Sequence, residues 1–140
     1  MSPMHLLERE ISPYTGANLC LGVFDSREAA EMAKARYRQT LASNDPWRDQ
    51  AYHQVDLGAD VRIVEIDVVG HPETELHLVS AYYEGFGQCV RRFVILHAQR
   101  DTADAHALAL EEQESETEEM ANYCEVETLV VNRLLFPSPK

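Results

Sequence analysis

A chain of 140 residues that is 45% hydrophobic with a formal charge of −12 has the material for one folded domain and is too apolar for general disorder. The acidity argues against direct nucleic-acid binding, whose affinity comes mainly from Lys and Arg neutralising phosphates, and against anionic membrane surfaces. A basic protein, a cation or no partner at all remain, since acidity alone also confers solubility.

The opening "MSPMHLLEREIS" has no basic segment and no apolar run of signal-peptide length, and no stretch approaches the roughly 18 apolar residues of a membrane span. A cytoplasmic location is the expectation. Strands rich in Val, Ile, Leu, Tyr and Phe are predicted at 4–11, 19–24, 61–68, 75–83, 88–97 and 124–132, bounded by turn-forming residues. A helix is predicted from Asp25, where Asp25 and Glu28 form an Asp version of the capping box. Ala30, Ala33, Tyr37 and Leu41 follow at helical spacing as one apolar stripe.

The order of elements repeats. "MHLL" at 4–7 answers "LHLV" at 76–79, and "LGVF" at 21–24 answers "FVIL" at 93–96, both at an offset of 72. "VRIVEI" at 61–66 answers "VETLVV" at 126–131 at an offset of 65, so the second unit is shorter by seven residues. The fold expected is α+β: two β-β-α-β repeats, units 1–70 and 71–135 with a tail at 136–140, forming antiparallel sheet with two helices packed on it. One six-stranded sheet or two three-stranded sheets satisfy that pattern.

The second helix carries the run "EEQESETEE" at 111–119. Ala103, Ala107, Leu110, Gln113, Thr117, Met120 and Ala121 share one face if the helix continues through 121. The glutamates Glu111, Glu112, Glu114, Glu116, Glu118 and Glu119 then occupy the outer surface. Like charges at i, i+4 each cost roughly 0.2–0.5 kcal/mol, and glutamates near a helix C-terminus oppose the macrodipole. Either packing of the inner stripe offsets this cost, or the charge meets a cationic target; a merely solvated face is the plainer alternative.

Motifs of catalysis are missing: no phosphate-cradling G-x-x-x-x-G-K-[ST], no G-x-G-x-x-G, no H-E-x-x-H and no G-x-S-x-G occurs. "EGFGQ" at 84–88 reads as a hairpin connection beside the aromatics Tyr82, Tyr83 and Phe86. Cys20, Cys89 and Cys124 form no C-x-x-C pair and read as reduced thiols. Cys89 and His97 share one predicted strand about 26 Å apart at strand rise, too far to act as nucleophile and base. Among six histidines, His5 and His77 match by repeat, and His97 and His106 flank the second helix; no spacing predicts three or four converging metal ligands. No cofactor and no metal are expected.

The other departure between the halves is "SNDPWRDQAYHQVDLGAD" at 43–60, longer than most connections. It supplies Trp47, Arg48 and Tyr52, the residue types that dominate interface hot spots. "LGVFDSREAAEMAKARY" resembles the strand-turn-helix signature G-V-[FY]-S-S-R-E-E-A-E of small uncharacterised bacterial domains. That resemblance implies a small α+β domain and carries over no site residue; the second unit, with "ILHAQRDTADAH", departs from it.

These features point to a non-enzymatic acidic protein that blocks a basic partner through the six glutamates and Trp47, Arg48 and Tyr52. An immunity protein neutralising a bacterial toxin is the concrete form. A phage-encoded anti-defence inhibitor of the anti-CRISPR type, placing carboxylates on a nucleic-acid-binding effector, shares the physics. A small-molecule or metal-binding enzyme would instead need a polar pocket between the repeats, and a homodimer is compatible with each reading.

Overall fold

Alternation along the strands and three-four spacing along the helices build four layers. The computed structural model describes residues 3–10, 17–44, 61–85, 87–114 and 121–135. The elements are β1 (Met4–Arg9), β2 (Leu19–Phe24), α1 (Arg27–Asn44), β3 (Val61–Ile66), β4 (Val68–Val69), β5 (Glu75–Gly85), β6 (Gln88–His97), α2 (Arg100–Glu114) and β7 (Ala121–Val130).

The strands form two sheets, with orders β2-β1-β3 and β4-β6-β5-β7. This corrects the expectation of two β-β-α-β repeats forming purely antiparallel sheet. Strand three does not run unbroken to residue 68. It leaves the first sheet after Ile66, and Val68–Val69 pair in parallel with Leu96 and His97 of β6 in the second. Backbone bonds from Leu96 N–H to the Asp67 carbonyl and from Ala98 N–H to the Val69 carbonyl, both 2.9 Å, fix this crossing.

Traffic runs the other way at the end of β7. The chain turns at Asn132, whose φ is 67°, and residues 131–135 pass to the first sheet. Asn132 N–H donates to the Val23 carbonyl at 2.8 Å and Leu135 N–H to the Leu21 carbonyl at 2.7 Å. The Asn132 side-chain oxygen also accepts from Asp25 N–H at 3.0 Å. Each unit thus delivers its last segment to the other unit's sheet.

Between the sheets, Met4, Leu6, Cys20, Val23 and Ile66 of the first pack on Leu76, Leu78, Leu96 and Leu129 of the second. Residues of opposite parity face the helices. Leu7, Leu21, Phe24 and Val61 receive Ala30, Ala33 and Tyr37 of α1, while Val79 receives Ala103 and Ala107 of α2, with Leu110 alongside. The first sequence-derived stripe lies on its sheet, with Leu41 alongside, as does the start of the second at Ala103, Ala107 and Leu110. Six leucines in these layers are wholly removed from solvent: Leu6, Leu7, Leu21, Leu76, Leu78 and Leu96. Cutting a residue of this kind to Ala generally costs about 2–5 kcal/mol.

Two helix boundaries differ from the sequence reading. The α1 cap is Ser26, whose Oγ accepts from Ala29 N–H at 3.1 Å; Asp25 is one residue too early, its own N–H being held by Asn132. Ala121, expected at the end of the second helix, opens β7 instead. Its pairing with Glu84 across β5 and β7 outweighs the helical spacing that placed it after Met120.

Candidate functional site

Among the residues singled out from sequence, Trp47, Arg48, Tyr52, Glu116, Glu118 and Glu119 lie outside the described residues. Glu111, Glu112 and Glu114 fall in the last turn of α2, which contains no basic residue. Glu111 has an internal use: its Oε1 accepts from Cys124 N–H at 2.8 Å, tying the helix end to β7. Glu112 is exposed. The remaining outer face of α2 carries exposed Asp101, Asp104, Ala105, Leu108 and Ala109. Asp104 is engaged by Arg100 at 3.1 Å. Leu108 is 59% exposed, an apolar side chain set among carboxylates on a helix whose opposite stripe is already buried.

A second constellation lies where the two sheets diverge. Strand alternation places Glu8, Ser80, Tyr82 and Glu127 on the same inner faces as the leucines between the sheets, so this end of the interlayer is polar. Glu8 is only 4% exposed. Its carboxylate accepts from Asn18 Nδ2 at 2.8 Å and from Arg62 Nε and Nη2 at 3.0 and 3.5 Å. These charge-assisted bonds offset the cost of burying the anion.

Arg91, whose side chain is 9% exposed, stands across from it. Its guanidinium donates to Ser80 Oγ at 3.1 Å, to the Asn18 carbonyl at 3.3 Å and to Glu127 Oε2 at 3.3 Å. It also stacks over Phe93 and Tyr82, 4.6 and 5.3 Å from their ring centroids. Tyr82 in turn lies parallel to Tyr123 with centroids 4.9 Å apart, and Tyr123 donates to Glu84 at 2.8 Å. Burial pushes the Tyr82 phenol up to about 12. The bond to Glu84 holds Tyr123 at about 12 as well.

Beside this cluster a groove of about 800 Å³ opens between β3 and β6, with Glu8, Asn18, Arg62, Val64, Arg92 and Phe93 among its walls. The sequence reading missed it. One signal was present: Glu8 and Ser80 stand at the repeat offset of 72, on strand faces otherwise apolar, and both are buried.

The histidines arrange differently from a metal centre. Thr102 Oγ1 donates to the Gln99 carbonyl at 3.0 Å, so it accepts from His97 Nδ1–H at 3.0 Å. His97 Nε2 is left to accept from His106 Nδ1–H at 3.1 Å. Burial, then the neighbouring His106 and His77, lowers the His97 pKa below its usual 6.5. Of the two histidines matched by the repeat offset, His77 Nδ1 bonds Thr128 Oγ1 at 2.9 Å, whereas His5 Nδ1 is buried without a partner. Among the described residues no group of three or more His, Cys, Asp or Glu is disposed to hold a metal, and no helix is long and apolar enough to cross a membrane.

The thiols of Cys20 and Cys89 are poorly ionised. Burial pushes Cys20 up to about 12, and burial with the Glu84 carboxylate raises Cys89. Nucleophilic sulfur chemistry needs the opposite shift. Compared with known proteins, the chain matches no family model, no curated protein and no solved structure.

Proposed function

We propose that this chain is a cytoplasmic acidic binding protein that acts without catalysis, covering the functional surface of a basic protein. An immunity protein that neutralises a bacterial toxin is its most concrete form. The observation that carries this reading is the outer face of α2, where Leu108, 59% exposed, stands among Asp101, Asp104 and Glu112 with no basic residue in the last turn.

The physics divides into two steps. A net charge of −12 steers a cationic partner over a Debye length of about 8–10 Å and raises the association rate. An apolar anchor within a charged rim then supplies short-range affinity, with the rim carboxylates selecting against acidic competitors. In sequence, Glu116, Glu118 and Glu119 add negative charge directly after α2, and Trp47, Arg48 and Tyr52 are of the residue types common at interface anchors.

Two variants test this: the triple reversal Glu112→Lys, Glu116→Lys, Glu119→Lys, and Leu108→Ser. The immobilised chain is exposed to lysate of its native host at low and moderate salt, and captured proteins are identified by mass spectrometry. The expected result is a basic protein whose association slows with salt and with the triple reversal, and whose dissociation quickens with Leu108→Ser. Capture indifferent to both variants would overturn the reading.

A further inference from the structure

The groove between the two sheets has features that the α2 face does not explain. In a chain whose charge is −12, three of the twelve basic residues, Arg62, Arg91 and Arg92, line one groove. Its position follows from the strand exchange. β3 is the last strand of its sheet, and β4 covers β6 only at Leu96 and His97. Beyond that point, among the described residues, no strand pairs with the facing edges of β3 and β6, and the groove occupies the gap.

We infer that this groove binds a small organic monoanion with a flat apolar body, an aryl carboxylate or sulfonate in chemical class. Arg62 supplies the anchor. Its side chain is 57% exposed although Glu8, at 5%, is buried beneath it. Glu8 engages Nε and Nη2 of the guanidinium, two of the five N–H donors an arginine carries. Asn18 fixes the carboxylate from the other side. An ion pair with one partner this exposed adds little to stability, but it holds the fork of Arg62 in one orientation at the groove wall.

Arg92 stands on the opposite wall, its guanidinium carbon 5.9 Å from the Tyr83 ring centroid. The lining also includes the apolar side chains of Val64, Phe93 and Val90, the last 41% exposed, beside the polar Asn18 and Glu65. Guanidinium forks suit a planar carboxylate or sulfonate, and the valine and aromatic walls suit a flat ring. Arg91 is committed to Ser80, Asn18 and Glu127 and serves to hold Phe93 in place. Glu65 also lines the groove, which disfavours polyanions and confines the site to a single negative charge.

The test uses the full chain, 2-naphthoate as probe, and its neutral analogue 2-naphthylmethanol, with binding read by isothermal titration calorimetry and located by ¹H–¹⁵N NMR shifts. Arg92→Gln and Val90→Glu alter exposed side chains, so folding is retained and is checked by far-UV circular dichroism. Naphthoate is expected to bind about tenfold more tightly than the alcohol, with shifts at Arg62, Val90, Arg92 and Phe93. Arg92→Gln should weaken naphthoate about fivefold and leave the alcohol unchanged, and Val90→Glu should weaken both. Equal binding of acid and alcohol, no naphthoate binding at millimolar concentration, shifts mapping elsewhere, or indifference to Arg92→Gln each overturns the proposal.

Discussion

Replacing Gly22 with alanine probes the hook at residues 131–135. Gly22 has a φ of +151°, and a Cβ built there would lie 2.6 Å from the Arg133 carbonyl oxygen and 3.2 Å from two ring carbons of Phe24. The Phe24 ring can yield slightly, but Arg133 is backbone held between the bonds of Asn132 to Val23 and Leu135 to Leu21. Admitting the methyl therefore means pushing the hook off β2. Two backbone bonds at about 1 kcal/mol each, with a dihedral cost of about 1–3 kcal/mol, give an expected destabilisation of about 3–5 kcal/mol. The corresponding fall in Tm is on the order of 10 °C. Gly87→Ala is the control: φ is +76° there, but the added methyl meets nothing within 4 Å, so only the dihedral cost of about 1 kcal/mol applies. Urea unfolding followed by circular dichroism measures both. Equal losses in the two variants would refute the idea that the close approach of Arg133 to Gly22 secures the first sheet.

Two further expectations concern charged groups inside the structure. Arg91→Met should destabilise by about 2–3 kcal/mol by leaving Glu127 and the buried Ser80 without their donor, the figure being reduced because Glu127 is 36% exposed. Adding Glu127→Gln should restore part of the loss in urea titrations, since no unpaired charge then remains; a double variant no better than the single would count against a role for charge. The His97 pKa is lowered on folding, so the unfolded chain binds more protons just below 6.5 and stability should be fully present above that pH and fall as pH drops through it. His97 is faced by Thr102 and His106 from α2 and by His77 from β5. His97→Asn, which keeps a donor for Thr102, should flatten the urea midpoint between about pH 5.5 and 7.5, and an unchanged slope would assign the effect elsewhere.

The stripe of α1 and the start of that of α2 were readable because they depend on local periodicity: Ala30, Ala33 and Tyr37, or Ala103 and Ala107, are buried wherever an amphipathic helix meets a sheet. What eluded the sequence depends on how the sheets meet. Val68 read as the end of the third strand, and only the opposite sheet's free edge makes it, with Val69, a separate parallel one. The burial of Glu8 and Arg91 depends on Asn18, Arg62 and Glu127, which are brought around them from distant positions. Glu111 stood with its neighbours as display charge, yet its partner is the Cys124 amide, a bond that no count of glutamates reveals. Asp25 offered a good cap by composition; Ser26 takes the role because Asn132 claims the Asp25 amide.

The mutual delivery of chain ends has a consequence for assembly. Val68–Val69 complete β6 and residues 131–135 brace β2, so either half alone would retain an unsatisfied edge and an incompletely covered layer. In a concentrated solution held near its unfolding midpoint, those vacant places accept the same segments from a second molecule at little enthalpic difference. Slow-exchanging swapped dimers, formed on refolding at high concentration and persisting after dilution, are the natural misassembly of this architecture.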